Sequence, residues 1–127
     1  MRVLVCGGRN YSDRLFLFDV LDRIHARCPI TTIIEGGATG ADRIARSWAN
    51  KNHIEVFTYP ANWELHGHRA GPVRNAKMLR EGRPDLVVAF KGGRGTTHMV
   101  SIAGEAGVRL LLAWKYKDCA SQSPLPN

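Results

Sequence analysis

"EGGATGADRIARSWA" occupies residues 35–49 and follows directly on Ile33 and Ile34. The β-branched run reads as a strand, and Ile44, Ala45, Trp48 and Ala49 recur at helical spacing after it. Between them lie Gly36, Gly37 and Gly40, with only Ala38 and Thr39 in the gaps. A turn needs one glycine or two. More than that, kept free of bulky neighbours, suggests that something other than a side chain approaches the backbone.

The same grammar recurs on both sides. "RVLVC" (2–6) is a short apolar run that ends in Gly7-Gly8, with Arg9 and Asn10 next. Ser12 or Asp13 then caps a helix in which Phe16, Leu17, Val20, Leu21 and Ile24 form the stripe, and Pro29 closes the unit. "ITTIIE" (30–35) is the second strand, and "IEVFTY" (54–59) is a third, stopped by Pro60. "ANWELHGHRAG" (61–71) reads as a polar loop, after which Pro72 opens a helix carrying Val73, Ala76, Met78 and Leu79. "DLVVAF" (85–90) is the fourth strand, a helix from about Thr96 to Ala106 bears Met99, Val100 and Ala103, and "VRLLLAW" (108–114) is the fifth strand. Strands that alternate with helices predict an α/β fold: a Rossmann-like three-layer domain over 1–114, with a polar tail at 115–127. Right-handed crossovers favour a five-stranded parallel sheet in the order 3-2-1-4-5, with helices on both faces.

The bulk numbers agree. A chain of 127 residues, 44% hydrophobic and 23% charged, is long enough for one packed domain and too apolar for disorder. No apolar run approaches a membrane span, and the opening "MRVLVCGG" is too short in its apolar part for a signal peptide, so a cytoplasmic location is expected. Cys6, Cys28 and Cys119 are odd in number and far apart, which argues for free thiols. His66 and His68 have no supporting carboxylate or cysteine, so no metal site is expected. The formal charge is +7, and Arg9, Arg43, Arg69, Arg74, Lys91 and Arg94 lie near the glycine loops, which suggests an anionic ligand.

In the predicted topology the loops after strands 1, 2 and 4 face one crevice where the strand order reverses. Each loop precedes a helix, whose N-terminal N–H groups and dipole favour a phosphate. The expected phosphate binders are Gly7, Gly8, Arg9, Asn10, Gly36, Gly37, Thr39, Gly40, Arg74, Lys91, Gly92, Gly93, Gly95, Thr96 and Thr97. Neither GxxxxGK[ST] nor GxGxxG is present, which disfavours P-loop hydrolysis, and a single α/β unit of this length leaves no room for the substrate domain that hydride transfer would need. Glu35 ends strand 2 and either accepts ribose hydroxyls, or pairs with Arg43 or caps a turn; Asp42 is expected to cap the second helix and to face the ligand as well. His98 is an imidazole near the crevice, available as acid or base.

Four stretches in order, "VCGGRNYSD", "EGGATGADRIARSWA", "GHRAGPVRNAKML" and "FKGGRGTTHMVSIAGEAG", resemble the SLOG superfamily, in particular its small YspA-type branch. The resemblance spans about residues 2–110 and implies a Rossmann-like fold that binds a nucleotide or nucleotide-derived ligand such as an NAD or ADP-ribose derivative. It implies no further cofactor, and a homo-oligomer, dimer or higher. The superfamily includes the LOG phosphoribohydrolases, whose signature is PGGxGTxxE preceded by R-K-A-x-M. "RNAKM" (74–78) keeps the Arg, Ala and Met, which carries over Arg74 as a phosphate or catalytic-site arginine. "KGGRGTTH" (91–98) keeps Gly92, Gly93, Gly95 and Thr96. Lys91 replaces the proline, and His98 with Met99 stands where the acidic pair would be.

These readings leave distinct functions open. One is a sensor or sequestering module for a nucleotide ligand. A second is an N-glycosidic hydrolase acting on a nucleoside 5′-phosphate or NAD derivative, with Glu35, Asp42, Arg74 and His98 as the catalytic candidates. A third, by similarity to DprA, is single-stranded nucleic-acid binding; the charge favours it, whereas Tyr11, Trp63 and Tyr116 are too scattered for a stacking row.

Overall fold

The computed structural model describes residues 1–116. The strands are β1 (Arg2–Cys6), β2 (Thr32–Glu35), β3 (Glu55–Thr58), β4 (Leu86–Ala89) and β5 (Arg109–Leu112). They form one parallel sheet in the order β3-β2-β1-β4-β5. This is the order expected from the sequence. The helices are α1 (Arg14–Arg27), α2 (Ala41–Lys51), α3 (Trp63–His66), α4 (Ala70–Gly82) and α5 (Arg94–Glu105).

Alternation along the central strands builds two cores. Val3, Val5 and Ile33 point to one face, where Leu17, Val20, Leu21, Ala45 and Trp48 of α1 and α2 meet them. Leu4, Cys6 and Ile34 point to the other, against Met78 of α4 and Met99 and Ala103 of α5. The chain winds from β1 toward β3 with helices on the first face, then returns past β1 to β4 and β5 with helices on the second. Right-handed crossovers in opposite directions require that division.

Asp13 caps α1, accepting from the Phe16 N–H at 3.2 Å. Trp48 of the α2 stripe is fully buried, its Nε1 donating to Asp22 at 2.8 Å. Three expectations are corrected. Most of the stretch 61–71 is not loop: α3 and a 3-10 turn (Gly67–Arg69) occupy 63–69 and α4 starts at Ala70, while Pro72 lies in the first turn of that helix, as expected. The buried side of α4 is Ala70, Gly71, Asn75, Met78 and Gly82, while Val73 and Ala76 face outward. β5 ends at Leu112, with a 3-10 turn over Ala113–Lys115. The rest of the tail, with Cys119, lies outside the described residues.

Candidate functional site

The loops after β1, β2 and β4 are tied into one structure at the carboxyl end of the sheet. The Gly8 N–H donates to the Lys91 carbonyl at 2.9 Å, and the Gly8 carbonyl accepts from Tyr11 at 3.1 Å and Ala41 at 3.2 Å. The Thr39 hydroxyl donates to the Arg9 carbonyl at 2.8 Å. Much of the glycine content serves this knitting. A Cβ at Gly7 would stand 2.6 Å from that of Ala41. One at Gly92 would collide with the Thr96 hydroxyl and stand 2.6 Å from the Gly8 nitrogen. Gly40 has φ +72° and its Cβ would run into the Gly8 carbonyl. Gly93 and Gly95 differ: nothing lies within 4 Å of a Cβ built on either.

Those two glycines belong to the start of α5, whose N-cap, Gly93, makes no side-chain capping bond. The first turn of α5 therefore presents N–H groups to the space in front of it. That space is a cavity of about 970 Å³. Its wall is formed by Gly7, Gly8, Arg9, Asn10 and Tyr11 from the first loop, by Ala38 from the second, and by Asp42 from the start of α2. Trp63, His68, Gly71, Pro72, Arg74, Asn75 and Met78 follow from α3, the 3-10 turn and α4, and Lys91 to Thr96 and His98 from the last loop and α5. Arg9, Arg74, Lys91 and Arg94 supply positive charge, and Asp42 is the one acid on the wall among the described residues.

Gly36, Gly37, Thr39 and Gly40 are close by but do not line this cavity, and Thr97 lines a smaller hollow with Val100 and Trp114. Glu35 is fully buried and also off the wall. Its carboxylate accepts from the Gly37 N–H at 2.7 Å and from the Thr58 hydroxyl, so it closes the turn after β2. Gly36 is packed by Arg74, whose Nη1 donates to the Gly36 carbonyl at 2.7 Å.

Asp42 sits in the first turn of α2 and accepts from the Ala38 N–H at 3.2 Å. Burial pushes its carboxyl up from 3.8 to about 6, with the Glu35 charge adding to the rise and the Ala38 bond and Arg74 opposing it. Burial lowers the Arg74 guanidinium from its ordinary value, while Asp42 and Glu35 hold it up. Burial also lifts the Cys6 thiol to about 12, which removes it as a nucleophile near neutrality.

Sequence reasoning missed Asn75. It is buried, and its side chain joins three parts of the site. The Arg74 Nε, which can only donate, bonds the Asn75 Oδ1 at 3.0 Å. The amide nitrogen therefore faces the Gly95 carbonyl at 3.0 Å and the His98 Nδ1 at 3.1 Å. This network assigns the histidine: in its neutral form His98 accepts at Nδ1 and carries its proton on Nε2. The one signal in the sequence was that Asn75 departs from the R-K-A-x-M pattern.

The profile of the YspA, cpYpsA-related SLOG family matches residues 1–66 of this chain. The chain belongs to this family. It is also similar to the Gene 61 protein of Mycobacterium phage D29, at 39% identity over 118 residues, covering 87% of this chain and 94% of the phage protein. The matched part of this SLOG chain contains β1 to β3 and the first two glycine loops. Arg74, Asn75 and the start of α5 lie beyond it.

Proposed function

We propose that the cavity binds a nucleotide or nucleotide-derived ligand, an NAD- or ADP-ribose-like molecule or a nucleoside phosphate, and that the protein acts as a sensor or sequestering module. The observation that carries this reading is the uncapped start of α5, with Gly93 and Gly95 open, at a cavity edged by Arg9, Arg74, Lys91 and Arg94. A phosphate there meets backbone N–H groups, a helix dipole and cations together. The volume suits a nucleotide-sized ligand. Membership of the SLOG family points the same way. Binding of this kind requires no additional cofactor.

The test starts with purified protein. It is denatured and any released small molecule is identified by mass spectrometry, while thermal shifts are recorded with AMP, NAD, ADP-ribose and cyclic nucleotides. The expected result is a nucleotide-dependent rise in Tm, corresponding to about 2.7 kcal/mol at a ligand concentration of 100 Kd, that disappears in Arg74→Ala. No shift with any of these ligands, together with retention of single-stranded DNA, would replace this reading with nucleic-acid binding.

Asp42 favours a second reading. A carboxyl with pKa about 6 on the cavity wall can exchange a proton near neutrality, as N-glycosidic cleavage requires. Release of free base on incubation, lost in Asp42→Asn and Arg74→Ala, would establish hydrolysis.

A further inference from the structure

Trp63 is the large aromatic side chain left uncovered at the mouth of the cavity. It opens α3, is 54% exposed, and no residue of α3 or of the following 3-10 turn is buried. Its ring reaches over the start of α4, where a Cβ on Gly71 would stand 3.8 Å from the indole Cη2. Trp63 lines the cavity already described and also a second hollow, of about 870 Å³, between the end of β3 and α3–α4. Arg74 lines both as well. The two hollows thus meet at an indole and a guanidinium. Tyr59, Pro60 and Val73 give the second hollow apolar walls, and Asn62, Glu64 and Lys77 give it polar edges.

We propose that Trp63 and this second hollow form the subsite for the planar base of the ligand. The base stacks on the indole, while the phosphate lies at the start of α5 and Arg74 holds the connecting part. The proposal rests on the nucleotide reading above and adds the position of the base. An indole offers a π-face to any nucleobase, so stacking supplies affinity without demanding one base. The Asn62 Oδ1 accepts from the Leu65 N–H at 3.1 Å, which leaves its NH₂ to donate, and Glu64 adds acceptors for base or ribose edges.

The experiment is calorimetric titration of wild type, Trp63→Leu and Trp63→Phe with AMP, ADP-ribose and ribose 5-phosphate. Melting curves verify that each variant is folded. In wild type the better of the two base-bearing ligands binds about tenfold to a hundredfold tighter than ribose 5-phosphate. Trp63→Leu removes most of that difference and leaves ribose 5-phosphate within about twofold, whereas Trp63→Phe keeps most of it. Equal binding of base-bearing and base-free ligands by wild type overturns the proposal and leaves the phosphate site standing. So does an equal loss for both classes in Trp63→Leu, which would mark the residue as structural. Wild type that binds none of the three, nor NAD or a cyclic nucleotide, overturns the nucleotide reading itself, and the base subsite with it. A sedimentation coefficient of the ligand-free protein that falls in Trp63→Leu would assign the indole to contact with a second copy of the chain and overturn the base subsite.

Discussion

At the scale of the residue, the candidate site is built around buried polar groups, among them Glu35, Asp42 and Asn75. Asp42 is the clearest case, because its burial makes a prediction with a sign. The folded state binds the Asp42 proton more tightly than the unfolded chain, whose value is 3.8, does. Stability from this group is therefore fully present below pH 3.8 and is lost as pH rises through about 6. The shift corresponds to about 3 kcal/mol. Asp42→Asn keeps an amide oxygen for the Ala38 N–H and removes the charge. It should match wild type at pH 4 and exceed it by about 2–3 kcal/mol at pH 8 in urea unfolding. A gain of equal size at both pH values would show that ionisation of Asp42 is not its origin. Glu35 and Asn75 were hard to read for a related reason. A carboxylate at a strand end can face a ligand or close a turn, and only the Thr58 and Gly37 partners decide for the turn. Asn75 lies on the buried side of α4, where hydrophobic periodicity registers nothing.

At the scale of the element, the glycine loops divide into two kinds that look alike in the sequence. Gly7, Gly40 and Gly92 are needed because the loops touch one another, whereas Gly93 and Gly95 open onto the cavity. Substitution separates the two. Gly40→Ala meets both a positive φ and the Gly8 carbonyl, and should cost at least about 3 kcal/mol of stability in urea unfolding, with or without ligand. Gly95→Ala lies in the first turn of α5 with free space around it. It should leave stability unchanged or raise it by up to about 1 kcal/mol. The thermal shift given by nucleotides should nevertheless fall, since the new methyl group stands at the turn assigned to phosphate. The helices themselves were legible wherever an apolar stripe met a capping residue, as in α1. α3 was not, because a four-residue helix with no buried side chain has no stripe.

At the scale of the whole molecule, the sheet order places three loops, far apart in the chain, within hydrogen-bond reach of each other. The net charge of +7 acts over the whole surface, and its effect on binding depends on the size of the partner. A mononucleotide should show a shallow fall of log K with log salt, with a slope of about −1 to −2. A single strand contacting many phosphates should show a much steeper one. Titrations of AMP and of oligo-dT between 50 and 300 mM salt would measure both slopes, and tight, steeply salt-dependent oligo-dT binding beside weak AMP binding would reverse the ranking of functions. By itself the sequence determined the strand and helix alternation, the parallel sheet in its order, and the end of the sheet where the glycine loops meet. Apolar periodicity, β-branched runs and glycine turns are local signals, and crossover handedness turns them into one topology. Only the tertiary structure decided which glycines are packed and which are open, that Glu35 is committed to its own turn, and that Asn75 joins Arg74 to His98. Each of those depends on atoms brought together from distant parts of the chain, and local spacing carries no record of them.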